Sequence, residues 1–230
     1  MNYAISKLRV FVVFLFTVAF LLSSVKNVNA ERPVYNSNKN SSEKIAITFD
    51  DGPHPIRTLK LLDILNRYNV KATFFVVGQN VENYPHALSE IVKNGHEIAN
   101  HTFSHKLLKN HGYEYIEKEI KETEKSVIRC GGKIEKMIRP PCGIFDENLL
   151  KLASKEGYKI ILWNIDTHDW ANESGEKIVS NILKNVSGGD IILFHDYTSG
   201  ENHTHEALEK IIPILQKKGF ELVTVSQLLQ

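Results

Sequence analysis

Cysteine is scarce in this chain, with only Cys130 and Cys142 in 230 residues. Neither belongs to a CxxC pair, so thiolate zinc centres are excluded and any metal must be held by imidazole and carboxylate. The loop between the two cysteines is short enough to close, yet a disulfide is not expected. Cys130 ends a helical segment before Gly131-Gly132, whereas Cys142 lies inside a Pro-Pro-Cys-Gly turn. Excess charge is also missing: 28 Lys and Arg against 27 Asp and Glu leave a formal net charge of +1. Strong electrostatic capture of nucleic acid or anionic lipid is therefore not expected, and a neutral partner is favoured. No internal repeat is visible.

Nor is there an apolar run long enough for an ordinary membrane span, which needs about 20 residues. The nearest is Val10 to Leu22, preceded by Lys7 and Arg9 and followed by Ser23, Ser24 and Val28-Asn29-Ala30. That layout reads as a secretory signal peptide over residues 1–30, cleaved after Ala30. An uncleaved N-terminal anchor is the alternative, because Leu8 to Val25 approaches spanning length. In either case the remainder is expected outside the cytoplasm, secreted or at the cell surface, touching membrane only through that segment. Residues 31–42 are polar and rich in Asn and Ser, and read as a flexible linker. The folded domain is then 43–230, long enough for one sizeable core and expected as a monomer.

Within the domain, Ile45, Ile47 and Phe49 mark a strand that stops at Asp50-Asp51-Gly52-Pro53. The pattern predicts helices over Thr58–Tyr68, Pro85–Lys93, Tyr113–Ile128, Asp146–Glu156 (Asp146 as N-cap), Gly175–Val186 and His205–Lys217. Between them it predicts strands at Ala72–Val77, His96–Asn100, Met137–Arg139, Tyr158–Trp163, Asp190–Phe194 and Phe220–Thr224. This alternation implies an α/β fold with a mainly parallel sheet, most simply closed as a barrel. In such barrels chemistry gathers where strands end and loops lead into helices. The polar groups fall there: Asp50-Asp51, His101 and His105, Arg139, Asp166 with Asp169-Trp170, and His195-Asp196.

Taken singly, each has a plain structural alternative. Asp-Asp-Gly is ordinary turn chemistry, a strand-end Arg is usually solvated, and a Trp can instead pack in a core. Taken together they suggest a site. His101 and His105, four apart, can face one cation from a helical turn, and Asp51 adds a carboxylate. Two imidazoles and one carboxylate leave open positions for water and for Lewis-acid hydrolysis.

Five stretches carry a resemblance: Thr-Phe-Asp-Asp-Gly at 48–52, His-Thr-Phe-Ser-His at 101–105, Arg-Pro-Pro-Cys-Gly at 139–143, Asp-Thr-His-Asp-Trp at 166–170 and Leu-Phe-His at 193–195. In that order they resemble the polysaccharide deacetylases with a NodB-type domain, carbohydrate esterase family 4. The resemblance implies a distorted (β/α) barrel and one divalent metal, zinc foremost, with cobalt or manganese also suited. It also implies removal of N-acetyl groups from peptidoglycan or chitin-like polymers. By the same resemblance Asp51, His101 and His105 are the metal ligands, Asp50 the general base, and Arg139 the residue that holds it. His195 is the general acid, oriented by Asp169, or by Asp166 in its place. Pro140, Cys142, Trp170 and Leu193 line the substrate groove, and the backbone N–H of Cys142 faces the developing oxyanion. Where the family commonly has tyrosine this chain has Cys142, so a side chain of the groove differs. An O-acetyl esterase acting on xylan and an inactive carbohydrate-binding domain are the alternative functions.

Overall fold

The computed structural model describes residues 33–198, 200 and 203–230. Strands and helices run in the order β1 (Val34–Tyr35), β2 (Lys44–Asp50), α1 (Arg57–Arg67), β3 (Thr73–Val76), α2 (Gly78–Asn83), α3 (Pro85–Lys93) and β4 (Glu97–Asn100). Then follow α4 (Tyr113–Arg129), β5 (Met137–Ile138), α5 (Glu147–Glu156), β6 (Lys159–Ile161), β7 (Ile165–Asp166) and α6 (Gly175–Asn185). The chain ends with β8 (Ile191–His195), α7 (Thr204–Lys217), β9 (Glu221–Val223) and α8 (Val225–Leu228). Every ladder between these strands is parallel, in the order β1-β6-β5-β4-β3-β2-β8-β7, with β9 also on β2.

That order explains the curl of the sheet. β6 lies near one end and β7 at the other, yet only residues 162–164 join them. Four Cα steps span at most about 14 Å, so the two ends of the sheet are drawn together into a distorted barrel. The single strand expected over Tyr158–Trp163 is therefore corrected: the chain leaves the sheet after Ile161 and rejoins it at Ile165. Asn164 manages the crossing, its Nδ2 donating to Asp190 and its Oδ1 accepting from the Ile191 N–H.

Strand alternation then divides inside from outside. In β2, Ile45, Ile47 and Phe49 pack outward against α1, α3, α6 and α7. Ala46 turns inward with Phe75, Ala99, Met137, Ile161 and Ile191, and Val225 and Leu228 of α8 join this inner cluster. Thr48 and Asp50 continue the inward column above Ala46. A second outer cluster covers α4 and α5 through Ile116, Ile120, Leu149 and Leu152.

Residues 33–42, expected to be a flexible linker, are largely held by backbone bonds instead. Pro33 O and Tyr35 O accept from Ile160 N–H and Leu162 N–H at 2.6 and 2.7 Å, adding β1 to the edge of β6. Asn38 N–H donates to Gly189 O at 2.7 Å, and its side chain donates to Leu228 O at 2.6 Å. Polar composition misled because such bonds need no apolar side chain. The close crossing requires glycine: a Cβ on Gly188 would fall 1.8 Å from Ser42 O. The expected signal peptide, residues 1–30, lies outside the described residues.

Candidate active site

Asp50 is the last inward residue of β2, and its register partner on β8 is His195. Neighbouring parallel strands thus set a carboxylate beside an imidazole at the C-terminal rim. Beneath them Arg139 is fully buried. Its Nη1 donates to Asp50 Oδ1 at 2.6 Å and to Thr48 Oγ1 at 2.9 Å. Its Nε and Nη2 donate to the carbonyls of Ile161 and Leu162, at the break between β6 and β7. The guanidinium also lies 4.0 Å from the Phe75 ring centroid. Arg139 therefore does two jobs: it pairs the buried Asp50 and satisfies carbonyls where the sheet parts.

Adjacent residues on a strand face opposite ways, but Asp51 has φ 76° and swings its carboxylate back over the barrel mouth. Its Oδ1 lies 3.2 Å from His101 Nε2 and 3.0 Å from His105 Nε2. The two histidines do not sit on the helical turn expected from their spacing. Residues 101–105 form a loop in which Thr102 and His105 have φ of 68° and 56°. His101 Nδ1 lies 2.7 Å from the Arg139 carbonyl oxygen. A carbonyl only accepts, so Nδ1 carries a proton and Nε2 is the nitrogen turned toward Asp51. Burial raises the Asp51 pKa, but hydrogen bonds and charge from the two imidazoles hold it well below the usual carboxylate range. The Asp51 hydrogen bond raises the His105 pKa against the opposing effect of burial. One carboxylate and two imidazoles within 4.8 Å suit a divalent metal with open positions.

On the other wall His195 Nδ1 lies 2.7 Å from Asp169 Oδ1, and His195 N–H donates to Asp169 Oδ2 at 2.8 Å. Thr204 Oγ1 donates to the same Oδ2 at 2.6 Å. Of the two orienting carboxylates the sequence left open, Asp169 is therefore the one on His195. Asp166 instead accepts from the His168 N–H and from Trp170 Nε1. Burial lowers the His195 pKa, but the Asp169 hydrogen bond and charge outweigh it and push it up to about 9.

Asp50, Asp51, His101, His105, Asp166 and His195 line one groove of about 680 Å³ that also contains Cys142, Trp163, Trp170 and Leu193. Trp170 is 57 % exposed, which rules out the alternative of a buried core tryptophan. Cys142 is exposed with φ 57°, and both cysteines are free thiols. Pro140 is buried and does not line the groove; it leads into the 3₁₀ turn Pro141–Gly143. Sequence reasoning missed Asn80, on the unpredicted helix α2, whose Nδ2 donates to Asp51 O at 2.7 Å. Gln79-Asn80 follows Gly78, which ends the strand pattern, and six residues are too few to register a helical period. It missed Tyr197 and Thr198 on the rim as well.

A sequence model of the polysaccharide deacetylase family matches residues 37–161. A peptidoglycan-N-acetylglucosamine deacetylase of Bacillus cereus is 41% identical over 193 residues, covering 83% of this chain and 90% of its own. The chain belongs to the polysaccharide deacetylase family. A chitooligosaccharide deacetylase of Bradyrhizobium is 35% identical, with 81% and 91% covered. Among solved structures, the Bc1960 peptidoglycan N-acetylglucosamine deacetylase in complex with 4-naphthalen-1-yl-N-oxidanyl-benzamide superposes with a TM-score of 0.83 at 38% identity, covering 86% of this chain and 94% of that one. The deacetylase fold expected from the five motifs is thus the fold found. Asp166, Asp169, Leu193 and His195 lie beyond the stretch matched by the family model, and their grouping rests on the geometry above.

Proposed function

We propose that this deacetylase removes N-acetyl groups from N-acetylglucosamine units of peptidoglycan or chitin-like oligomers, releasing acetate. The observation that carries it is the convergence of Asp51, His101 and His105 beside two prepared proton-transfer groups, Asp50 on Arg139 and His195 on Asp169. Peptidoglycan is favoured by the names of the relatives and by the export signal read over residues 1–30. The protein is accordingly proposed to work outside the cytoplasm. It is proposed to act as a monomer, since one chain supplies every residue of the site.

Asp51, His101 and His105 would hold a divalent ion, with zinc the best fit and cobalt or manganese also suited, which would lower the pKa of a bound water from about 15.7 toward about 7 and polarise the acetyl carbonyl. Asp50 Oδ1 is engaged by Arg139, so Oδ2 is the oxygen that takes the proton of the attacking water. Negative charge builds on the acetyl oxygen, and the Cys142 backbone N–H is its assigned protein donor. A sugar nitrogen leaves poorly as an anion, so His195 Nε2 hands it a proton while Asp169 keeps Nδ1–H oriented. Trp170 offers an aromatic face to sugar C–H groups, and Leu193 walls the acetyl pocket.

Acetate release by the purified chain on peptidoglycan, chitin oligomers and acetylated xylan tests this reading. Release from an N-acetylated polymer is expected. Release from xylan alone would favour the O-acetyl esterase, and none from any polymer, with metal bound, would favour the carbohydrate-binding domain.

A further inference from the structure

Helix α4 carries an acid on its buried face. Glu119 is flanked there by Ile116, Ile120 and Thr123, and is only 8 % exposed. A carboxylate in such a place is costly unless its oxygens are engaged. They are: Oε2 accepts from the Phe103 N–H at 3.1 Å and the Ser104 N–H at 2.8 Å, and Ser104 Oγ lies 3.0 Å from both oxygens. Phe103 and Ser104 stand between His101 and His105. The same loop is also held by the segment after β3, where Gly78 N–H and Gln79 N–H donate to Thr102 O and Phe103 O, each at 3.0 Å. Thr102 and His105 are in the left-handed region, which residues with a Cβ keep only when their surroundings impose it.

We propose that Glu119 is a positioning residue for the metal centre. It lines no part of the groove and acts through the loop, fixing the 102–105 turn so that His105 Nε2 stays beside Asp51 and His101. This rests on the reading of those three residues as ligands. Removing Glu119 frees two N–H groups and lets the turn relax toward ordinary backbone angles, carrying His105 away from its partners. The consequence is a weaker metal site on an otherwise folded protein. Outer-shell partners of metal ligands are typically worth 10–100-fold in affinity.

The test is competition for Zn²⁺ between a chromogenic chelator and the full chain, comparing wild type with Glu119→Ala, Glu119→Gln and Val127→Ala. Val127 is buried on the same helix eight residues beyond Glu119, in the outer core cluster that includes no residue of the 101–105 loop, so Val127→Ala is expected to lower thermal stability without lowering affinity. Glu119→Ala is expected to weaken Zn²⁺ binding about 10–100-fold, with Glu119→Gln between it and wild type. The metal concentration for half-maximal activity should rise in step. Wild-type affinity in both Glu119 variants, folded by circular dichroism, would overturn the proposal. If wild type itself held no Zn²⁺, the ligand assignment would fail first, and that outcome is distinct because it precedes any comparison of variants.

Discussion

Asp50 and Asp51 are neighbours in the chain and have different surroundings because one ends a strand and the other begins a left-handed turn. Asp50 keeps the inward direction of β2 and meets Arg139, whereas Asp51 turns up to meet two imidazoles. The same contrast separates Asp169 from Asp166 on the far wall. His195 has an ordinary value of 6.5, raised to about 9 against burial by Asp169. In the proposed mechanism the protonated form is the useful acid, so activity should fall as pH rises through that region. The pair also stabilises the fold, fully below pH 6.5 and progressively less as pH climbs through about 9. Asp169→Asn should move the alkaline limb of the pH–rate profile down by about one unit or more and lower kcat by about 10²-fold. An unmoved limb would deny Asp169 its part in holding the proton on His195.

At the scale of elements, the site is built from strand ends, and the segment after β3 ties two of its loops together. Val77 N–H donates to Gly52 O and the Asn80 side chain to Asp51 O, while Gly78 and Gln79 hold the histidine loop. Glycine is required there, since a Cβ on Gly78 would lie 2.5 Å from Phe103 Cδ2 and 3.1 Å from Phe103 Cα. Gly78→Ala should therefore cost about 1–3 kcal/mol, read as a drop in Tm, and should weaken metal binding with it. Much of this level was legible in advance. Most predicted helices and strands agree with those found to within a residue or two, because their periods run for several turns or their strands end in glycine, as at Val77-Gly78. What escaped was short or irregular: the six residues of α2, the two-residue strands β1 and β7, and the loop shape of 101–105. There the deciding forces are backbone bonds to distant segments, which leave no period in the sequence. Arg139 was legible as a site residue, but its second task at the β6–β7 break follows only from the sheet order.

At the scale of the molecule, a curled parallel sheet brings five separated sequence motifs to one rim. Its weak point is the edge beside β6, which residues 33–35 cover while Asn38 ties the following segment to Gly189 and Leu228. A chain shortened to begin at Glu43 loses the bonds of Pro33, Tyr35 and Asn38 and bares a strand edge. At about 1 kcal/mol for each backbone bond, it should be about 2–4 kcal/mol less stable than one beginning at residue 33, and more prone to associate. Equal melting temperatures for the two would show that the edge segment contributes little. On the proposed reading, the whole arrangement serves to hold one cation beside a base and an acid. The measurement that tests this most directly is acetate release from peptidoglycan before chelation, after it, and after readdition of one equivalent of Zn²⁺. Loss of release on chelation and its return with the single equivalent is the expected result; full release from the metal-free protein would contradict a metal-centred deacetylase.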